Sequence, residues 1–148
     1  MTDARTVLDR DGRAKAYRPL PLDERRRALD AGLAAYAAGD FFEAHELLEP
    51  AWMGTADMVE REAIQGLIKL AAAYVHGVRG NPRGIARNLE GARQRIAAAA
   101  GAPSIAVDVD LDRLLDDIDR RLAEIADSPG LGRLDPPVIH PASPGRSR

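Results

Sequence analysis

Apolar residues recur at helical spacing in successive segments of the chain, and glycine or proline separates one segment from the next. Leu29, Leu33 and Tyr36 define the first segment, and Gly39 follows them as a typical helix stop. In the final segment, between residues 110 and 126, six leucine and isoleucine positions repeat with the same period. A chain punctuated in this way predicts an all-α fold.

The boundaries of these segments predict five helices. Helix one begins near Asp23, and helix two follows directly after Gly39, where Asp40 and Glu43 have the spacing of a capping box. Helix two is expected to end or kink at Pro50, because proline removes a backbone hydrogen bond and clashes with the preceding turn. The other three helices are expected at about residues 57–78, 82–100 and 110–126.

The two ends of the chain differ in composition from its centre. Residues 1–21 are polar and end in Pro19-Leu20-Pro21, which favours an extended arm. Residues 128–148 are rich in proline and glycine, so we expect a disordered, flexible tail that buries little apolar surface. Between them, residues 22–127 are expected to form one domain, a compact irregular array of about five helices.

Composition excludes several classes of function. The formal charge of −2 over 148 residues gives no general reason to expect nucleic acid or an anionic membrane as a partner. Cysteine is absent, which excludes disulfides, thiol nucleophiles and cysteine zinc sites. The longest apolar stretch, residues 70–78, is far shorter than the roughly 20 residues of a membrane helix. A cytoplasmic protein is expected, and nothing indicates its oligomeric state.

The chemically distinctive segment is the predicted helix over residues 41–52. At 100° per residue, His45 and Glu49 project from the middle of an apolar stripe that includes Leu48 and Trp52. We therefore expect both polar side chains to be buried, with Glu46 at the rim of the stripe. A buried imidazole and carboxylate require partners, because an unpaired polar group in a core costs about 1–3 kcal/mol.

Two interpretations of this pair remain open. In the first, a polar pocket between helices two and three binds a small ligand or a divalent metal such as zinc, manganese or iron, with His45 and Glu49 as the metal ligands. The expected lining residues are His45, Glu46, Glu49, Trp52, Gln65 and His76. In the second, the pair is purely structural and the chain is a tetratricopeptide-like protein-interaction module. No serine or threonine lies in a recognisable catalytic string, so no catalytic residue is assigned.

Two further polar sets are predicted to face solvent. On helix three these are Glu62, Gln65, Lys69 and His76, although Gly66 and the neighbouring alanines would let another helix, such as helix two, approach. On helix four and just before it lies a basic run, Arg79, Arg83, Arg87, Arg93 and Arg95, which has the alternative of binding an anion near the helix N-terminus.

The segment Phe42-Glu43-Ala44-His45-Glu46-Leu47-Leu48-Glu49-Pro50-Ala51-Trp52 resembles the hallmark helix of the bacterial family called domain of unknown function 309. A second motif, Gln65-Gly66-Leu67-Ile68 followed by His76 and Gly80-Asn81, resembles that family at the right separation. The resemblance covers roughly residues 23–96 and implies an irregular array of five or six helices. It implies no activity. Proline at position 50 departs from the acidic residue that is more usual there.

Overall fold

The computed structural model of the chain describes residues 5–8, 12, 14–75, 82–102, 106–127 and 135–142. Five α-helices account for most of them: α1 (Leu22–Ala37), α2 (Phe41–Met53), α3 (Met58–Val75), α4 (Pro82–Ala99) and α5 (Leu111–Asp127). Two short strands, β1 (Arg5–Leu8) and β2 (Ala14–Tyr17), precede the helices. The predicted all-α fold is therefore confirmed, and the helices lie within a few residues of their expected positions.

The turn between α1 and α2 forms as the glycine predicts. Gly39 has φ +84°, a conformation that favours glycine, and the backbone N–H groups of Gly39 and Asp40 bond to the carbonyls of Tyr36 and Ala35, both at 2.9 Å. The capping box itself is absent, because the Asp40 side chain makes no cap hydrogen bond to a described residue. The backbone geometry of the glycine turn therefore sets the start of α2.

Pro50 does not end α2, which was one of the two outcomes, an end or a kink, that the sequence predicted. The helix continues to Met53, with Pro50 inside it and exposed. The hydrogen bond that a proline removes is the one to the carbonyl of Glu46, and Glu46 is also exposed. Because the broken bond faces water, solvent can satisfy that carbonyl and the last turn of α2 persists.

The central helix is α3, which packs against α2 on one side and α4 on the other. Between residues 60 and 74 every residue is buried except Gln65, Lys69 and Ala72, which fall on one narrow strip at spacings of four and three. Gly66 lies against Ile96 of α4, and a side chain at this position would collide with it. The sequence predicted that the small size of Gly66 would let another helix approach, with α2 as the example. A helix does approach Gly66, but it is α4 rather than α2.

The N-terminal arm contains a β-hairpin that was not predicted. β1 and β2 pair antiparallel, from Arg5 opposite Tyr17 to Leu8 opposite Ala14. A two-stranded hairpin is marginal alone, and here the chain that follows it is anchored to the end of α2. The backbone N–H groups of Arg18 and Leu20 donate to the carbonyls of Met53 at 2.8 Å and Gly54 at 3.0 Å.

Part of the predicted tail packs onto the helices. Residues 135–142, named here the C-terminal strap, run beside residues 106–110 through an antiparallel bridge between Val109 and Pro141. The buried Tyr36 hydroxyl donates to the Pro137 carbonyl at 2.7 Å, and Arg121 Nε donates to the Asp135 carbonyl at 2.7 Å. The strap is ordered because it forms hydrogen bonds with residues of α1 and α5. The other residues of the predicted tail, 128–134 and 143–148, lie outside the described ranges.

None of the described helices combines the length and the apolar character that crossing a membrane requires.

Candidate functional site

Three consecutive charged residues are buried at the start of α3. Glu60 is 5% exposed, Arg61 1% and Glu62 2%. Successive helix residues point about 100° apart, so the three side chains reach three different neighbours. The sequence predicted a solvated position for Glu62, and this was wrong because α4 covers that side of α3.

Each of the two glutamates pairs with an arginine from another helix. Arg25 of α1 donates two hydrogen bonds to Glu60, from Nε to Oε2 at 2.6 Å and from Nη2 to Oε1 at 3.2 Å. Its Nη1 also donates to the Leu20 carbonyl at 2.6 Å. On the other side, Arg95 Nη1 of α4 donates to Glu62 Oε2 at 2.9 Å. The first turn of α3 is thereby tied to α1 and α4 by charge-assisted hydrogen bonds.

Arg61 ties the same turn to the C-terminus of α2. Its Nη1 donates to the carbonyls of Trp52 at 3.0 Å and Thr55 at 3.1 Å, and its guanidinium lies 4.6 Å from the centre of the Trp52 ring. The C-terminal end of a helix carries partial negative charge, and an indole face attracts a cation. These interactions fix the orientation of Trp52 and compensate the burial of a full positive charge.

His45 and Glu49 are not at the centre of the buried face of α2, so the prediction that both are buried was wrong. The residues of α2 that are buried are Ala44, Leu48 and Ala51, while the His45 side chain is 32% exposed and Glu49 is half-buried. The predicted apolar stripe was misplaced because its position was taken from the aromatic residues, and one of them, Phe42, is 63% exposed. Leu48 marks the true centre, because it packs where Gly32 of α1 leaves room for it.

Helix geometry places Glu49 and Gln65 at about the same level of the packed helices α2 and α3. The contact between Trp52 and Arg61 fixes the antiparallel pairing of the two helices. Glu49 lies three residues before Trp52 and Gln65 four residues after Arg61, so both are about 5 Å further along the pair in the same direction. We name the boundary between α2 and α3 near His45, Glu49, Trp52 and Gln65 the α2–α3 seam.

Two polar side chains at the seam have no partners in the described part of the chain. Glu49 and Gln65 are both half-buried, and neither forms a hydrogen bond or an ion pair with another described residue. His45 Nδ1 lies 3.8 Å from Glu46 Oε2, and the Glu46 side chain is 53% exposed at the outer edge of the seam, as its predicted rim position requires. His76, the other predicted pocket residue, lies outside the described ranges.

The described residues provide no metal-binding group at the seam. Among the described residues, no group of three or more histidine, aspartate or glutamate side chains is placed to hold a metal ion. His45 and Glu49 would supply two ligands, whereas a protein zinc site typically has about three or four. The seam therefore offers hydrogen-bonding groups more readily than a coordination shell.

The buried charges were missed because sequence periodicity treats charge as a mark of exposure. The available signal was the run Glu60-Arg61-Glu62 at the start of an otherwise apolar helix, since three successive residues cannot all face solvent there. Of the basic run, Arg95 was also misassigned because it is partly buried, whereas Arg93 is exposed as expected. Arg95 binds Glu62, and Arg93 binds Asp119 of α5. Arg83 and Arg87 are exposed as expected, and Arg79 lies outside the described ranges.

The fold and the seam define a small helical domain in which α2 presents polar side chains beside a central, buried α3. Residues 29–88 match the family model of the domain of unknown function DUF309, the family that the motifs of the sequence resemble. The matched segment includes both sides of the seam. A comparison with curated proteins gives no match.

Proposed function

We propose that the chain is a binding domain that holds a small polar ligand in the α2–α3 seam. The observation that carries the proposal is the pair Glu49 and Gln65, two half-buried polar side chains on the packed helices α2 and α3 with no partner among the described residues. A half-buried carboxylate or amide that no protein group contacts keeps its hydrogen-bonding capacity available to a ligand. A ligand with matching groups would supply the partner that the described fold does not.

The packing of α2 on α3 does not need the polar residues of the seam. That role belongs to Leu48 and Ala51 in the core and to Arg61, which joins the C-terminus of α2 to α3. The alternative of a purely structural pair of His45 and Glu49 therefore has no support in the described contacts. The interaction-module alternative stays a prediction, and Phe42, 63% exposed on α2, is the apolar residue it would use.

The chemistry of the seam favours a ligand that donates hydrogen bonds. Glu49 accepts, Gln65 both accepts and donates, and Glu46 adds a second carboxylate at the edge. The Trp52 ring, held by Arg61, provides an apolar wall beside them. A compact amine or guanidinium compound meets these groups, and a divalent cation is the second ligand class to be tested.

The test uses untagged full-length protein, since a histidine tag would itself bind metal. Thermal shift and isothermal titration calorimetry are carried out with agmatine, putrescine, Zn²⁺ and Mn²⁺ as separate probes. We expect at least one probe to bind wild type with 1:1 stoichiometry and to bind Glu49→Gln about tenfold more weakly, since one charge-assisted hydrogen bond is worth about 1.5 kcal/mol or more.

Glu43→Gln is the matched control. Glu43 is exposed on α2 and, six residues from Glu49, points about 120° away from it. The same change of net charge outside the seam should leave binding unchanged. Equal binding by wild type and Glu49→Gln for every probe, or an equal loss in both variants, would reject the seam as the binding site.

A further inference from the structure

A concave site lies away from the α2–α3 seam, between α1 and the C-terminal strap. Its volume is about 940 Å³, within the roughly 300–1,000 Å³ of small-molecule sites. α1, the start of α2, residues 106–109 and the strap all contribute to its walls. None of the residues of the α2–α3 seam lines this cavity, so the inference below does not rest on the function proposed for the seam.

The cavity stays open because the residues around it cannot fill it. On α1 and the following turn the wall includes Ala34, Ala37 and Gly39, which have little or no side chain. On the strap it includes Pro136 and Pro137, which have no backbone N–H with which to pair against another chain segment. The strap is nevertheless fixed in place, because the Asp110 N–H donates to the His140 carbonyl at 2.9 Å and Tyr36 holds Pro137.

The interior of the cavity is apolar. Leu29 and Tyr36 are 2% and 6% exposed and form part of the core, with Leu33, Phe41 and Ile139 packed partly buried against it. The Tyr36 hydroxyl is occupied by its bond to the Pro137 carbonyl. The site therefore offers a ligand an apolar body to rest on rather than a set of hydrogen-bond donors.

The rim of the cavity is acidic. Among the described residues, three exposed aspartates, Asp30, Asp108 and Asp135, line it together with a single basic residue, Arg26. None of the three carboxylates forms an ion pair with a described residue, whereas Arg26 does have an interaction partner. A rim with this excess of negative charge attracts cations and repels anions.

We infer that the cavity between α1 and the strap binds a small organic amine with an apolar body, such as an aryl- or alkylamine. The apolar body lies against Leu33 and Phe41, and the ammonium group reaches the carboxylates at the rim. Apolar burial supplies affinity, and charge complementarity selects the amine over a carboxylate of the same size.

The test compares two fluorescent probes that share one apolar body. Dansylcadaverine ends in a primary amine and dansylglycine in a carboxylate, and both report entry into an apolar site through a blue shift and increase of dansyl emission. We expect saturable 1:1 binding of dansylcadaverine to the full-length protein, and binding of dansylglycine at least about tenfold weaker. Hydrogen exchange of residues 135–142 should slow only with the amine probe.

Two variants locate the site. Asp30→Asn combined with Asp135→Asn should weaken dansylcadaverine about three- to tenfold, since exposed charge pairs are individually weak, and leave dansylglycine unchanged or tighter. Ala34→Phe should weaken both probes, because it fills the cavity from an exposed helical position. The control, Asp116→Asn combined with Asp127→Asn, makes the same charge change on exposed positions of α5 outside the lining.

Three results would overturn the inference. The first is no saturable binding of dansylcadaverine, and the second is equal affinity for the two probes. The third is an equal loss of amine binding in the control variant, which would mean that the net charge of the protein and not the rim attracts the probe. Circular dichroism of each variant confirms that the fold is intact before binding is compared.

Discussion

The first turn of α3 and the outer edge of α2 contain the same kinds of side chain in opposite environments. Glu60, Arg61 and Glu62 are nearly fully buried, and each is bonded to a neighbouring segment. His45 and Glu49, which the apolar pattern placed in the core, are instead partly exposed. Position on a helical wheel does not separate the two sets.

What separates them is the supply of partners. Arg25 and Arg95 reach the glutamates of α3 from two different helices, and the carbonyls at the C-terminus of α2 meet Arg61. A charged side chain is stable in a buried position only when interactions with its neighbours compensate for its lost hydration. The edge of α2 has no such neighbours in the described part of the chain, so its polar groups stay in contact with solvent and accessible to a ligand.

The largest effect that this comparison predicts is for Arg61→Met. The variant removes the cation from the Trp52 ring and leaves the buried carbonyls of Trp52 and Thr55 without their donor. We expect the free energy of unfolding to fall by about 3 kcal/mol, measured by urea denaturation. Arg27→Met is the control, since the Arg27 side chain is 72% exposed and pairs only loosely with Asp23 at 3.6 Å. Its expected cost is below about 0.5 kcal/mol.

A loss below about 1 kcal/mol for Arg61→Met would contradict the comparison. It would mean that packing around α3 tolerates a neutral side chain and that the buried charges contribute little to holding the helices together. Trp52 fluorescence adds a separate reading, because loss of the guanidinium changes the environment of the single tryptophan.

Two core tyrosines test the role of partners without any change of charge at neutral pH. Tyr36 donates its hydroxyl to the Pro137 carbonyl, whereas the Tyr74 hydroxyl is buried with no hydrogen-bond partner among the described residues. Tyr36→Phe should lower the free energy of unfolding by about 1–2 kcal/mol, because it strands a buried carbonyl. Tyr74→Phe should change it by less than about 0.5 kcal/mol. The reverse order in thermal denaturation would show that the C-terminal strap contributes nothing through this bond.

The same tyrosines predict a loss of stability in alkali. Burial raises the pKa of both hydroxyls above the ordinary value of 10.0, and for Tyr36 the nearby Tyr74 adds to the shift. Above about pH 10 the unfolded chain releases protons that the folded protein retains, so stability is full below this pH and falls as pH rises. The double variant Tyr36→Phe, Tyr74→Phe should therefore lose stability less steeply than wild type between pH 9 and 11.

The sequence predicts the helices well because their signals are local. Glycine at position 39 and proline at 82 mark the turn after α1 and the start of α4, and apolar period marks the faces of α5. The β-hairpin and the strap were missed for the opposite reason. Each is ordered by bonds to distant residues, such as Arg18 to Met53 and Tyr36 to Pro137, which no local pattern contains.

The site was predicted only in part, again because local patterns do not contain contacts between distant residues. The positions of Trp52 and Gln65 on neighbouring helices follow from helix order and antiparallel pairing. The depth of His45 and Glu49 does not, because it depends on which side of α2 meets α1. The contact between Gly32 and Leu48 determines how α2 is rotated about its own axis. Glycine has no hydrophobic side chain, so the apolar pattern of the sequence does not indicate this contact.

The smallest predicted effect concerns Glu49→Gln in the absence of ligand. Glu49 is half-buried and has no partner among the described residues. We therefore expect the free energy of unfolding of the Glu49→Gln variant to stay within about 0.5 kcal/mol of wild type. Glu60→Gln is the matched change at a buried site, where both carboxylate oxygens accept from Arg25, and it should cost about 2 kcal/mol. A cost of 1.5 kcal/mol or more for Glu49→Gln would show that this carboxylate is part of the structural framework. The distinction between the edge of α2 and the first turn of α3 would then fail, and with it the reason for placing a ligand in the seam.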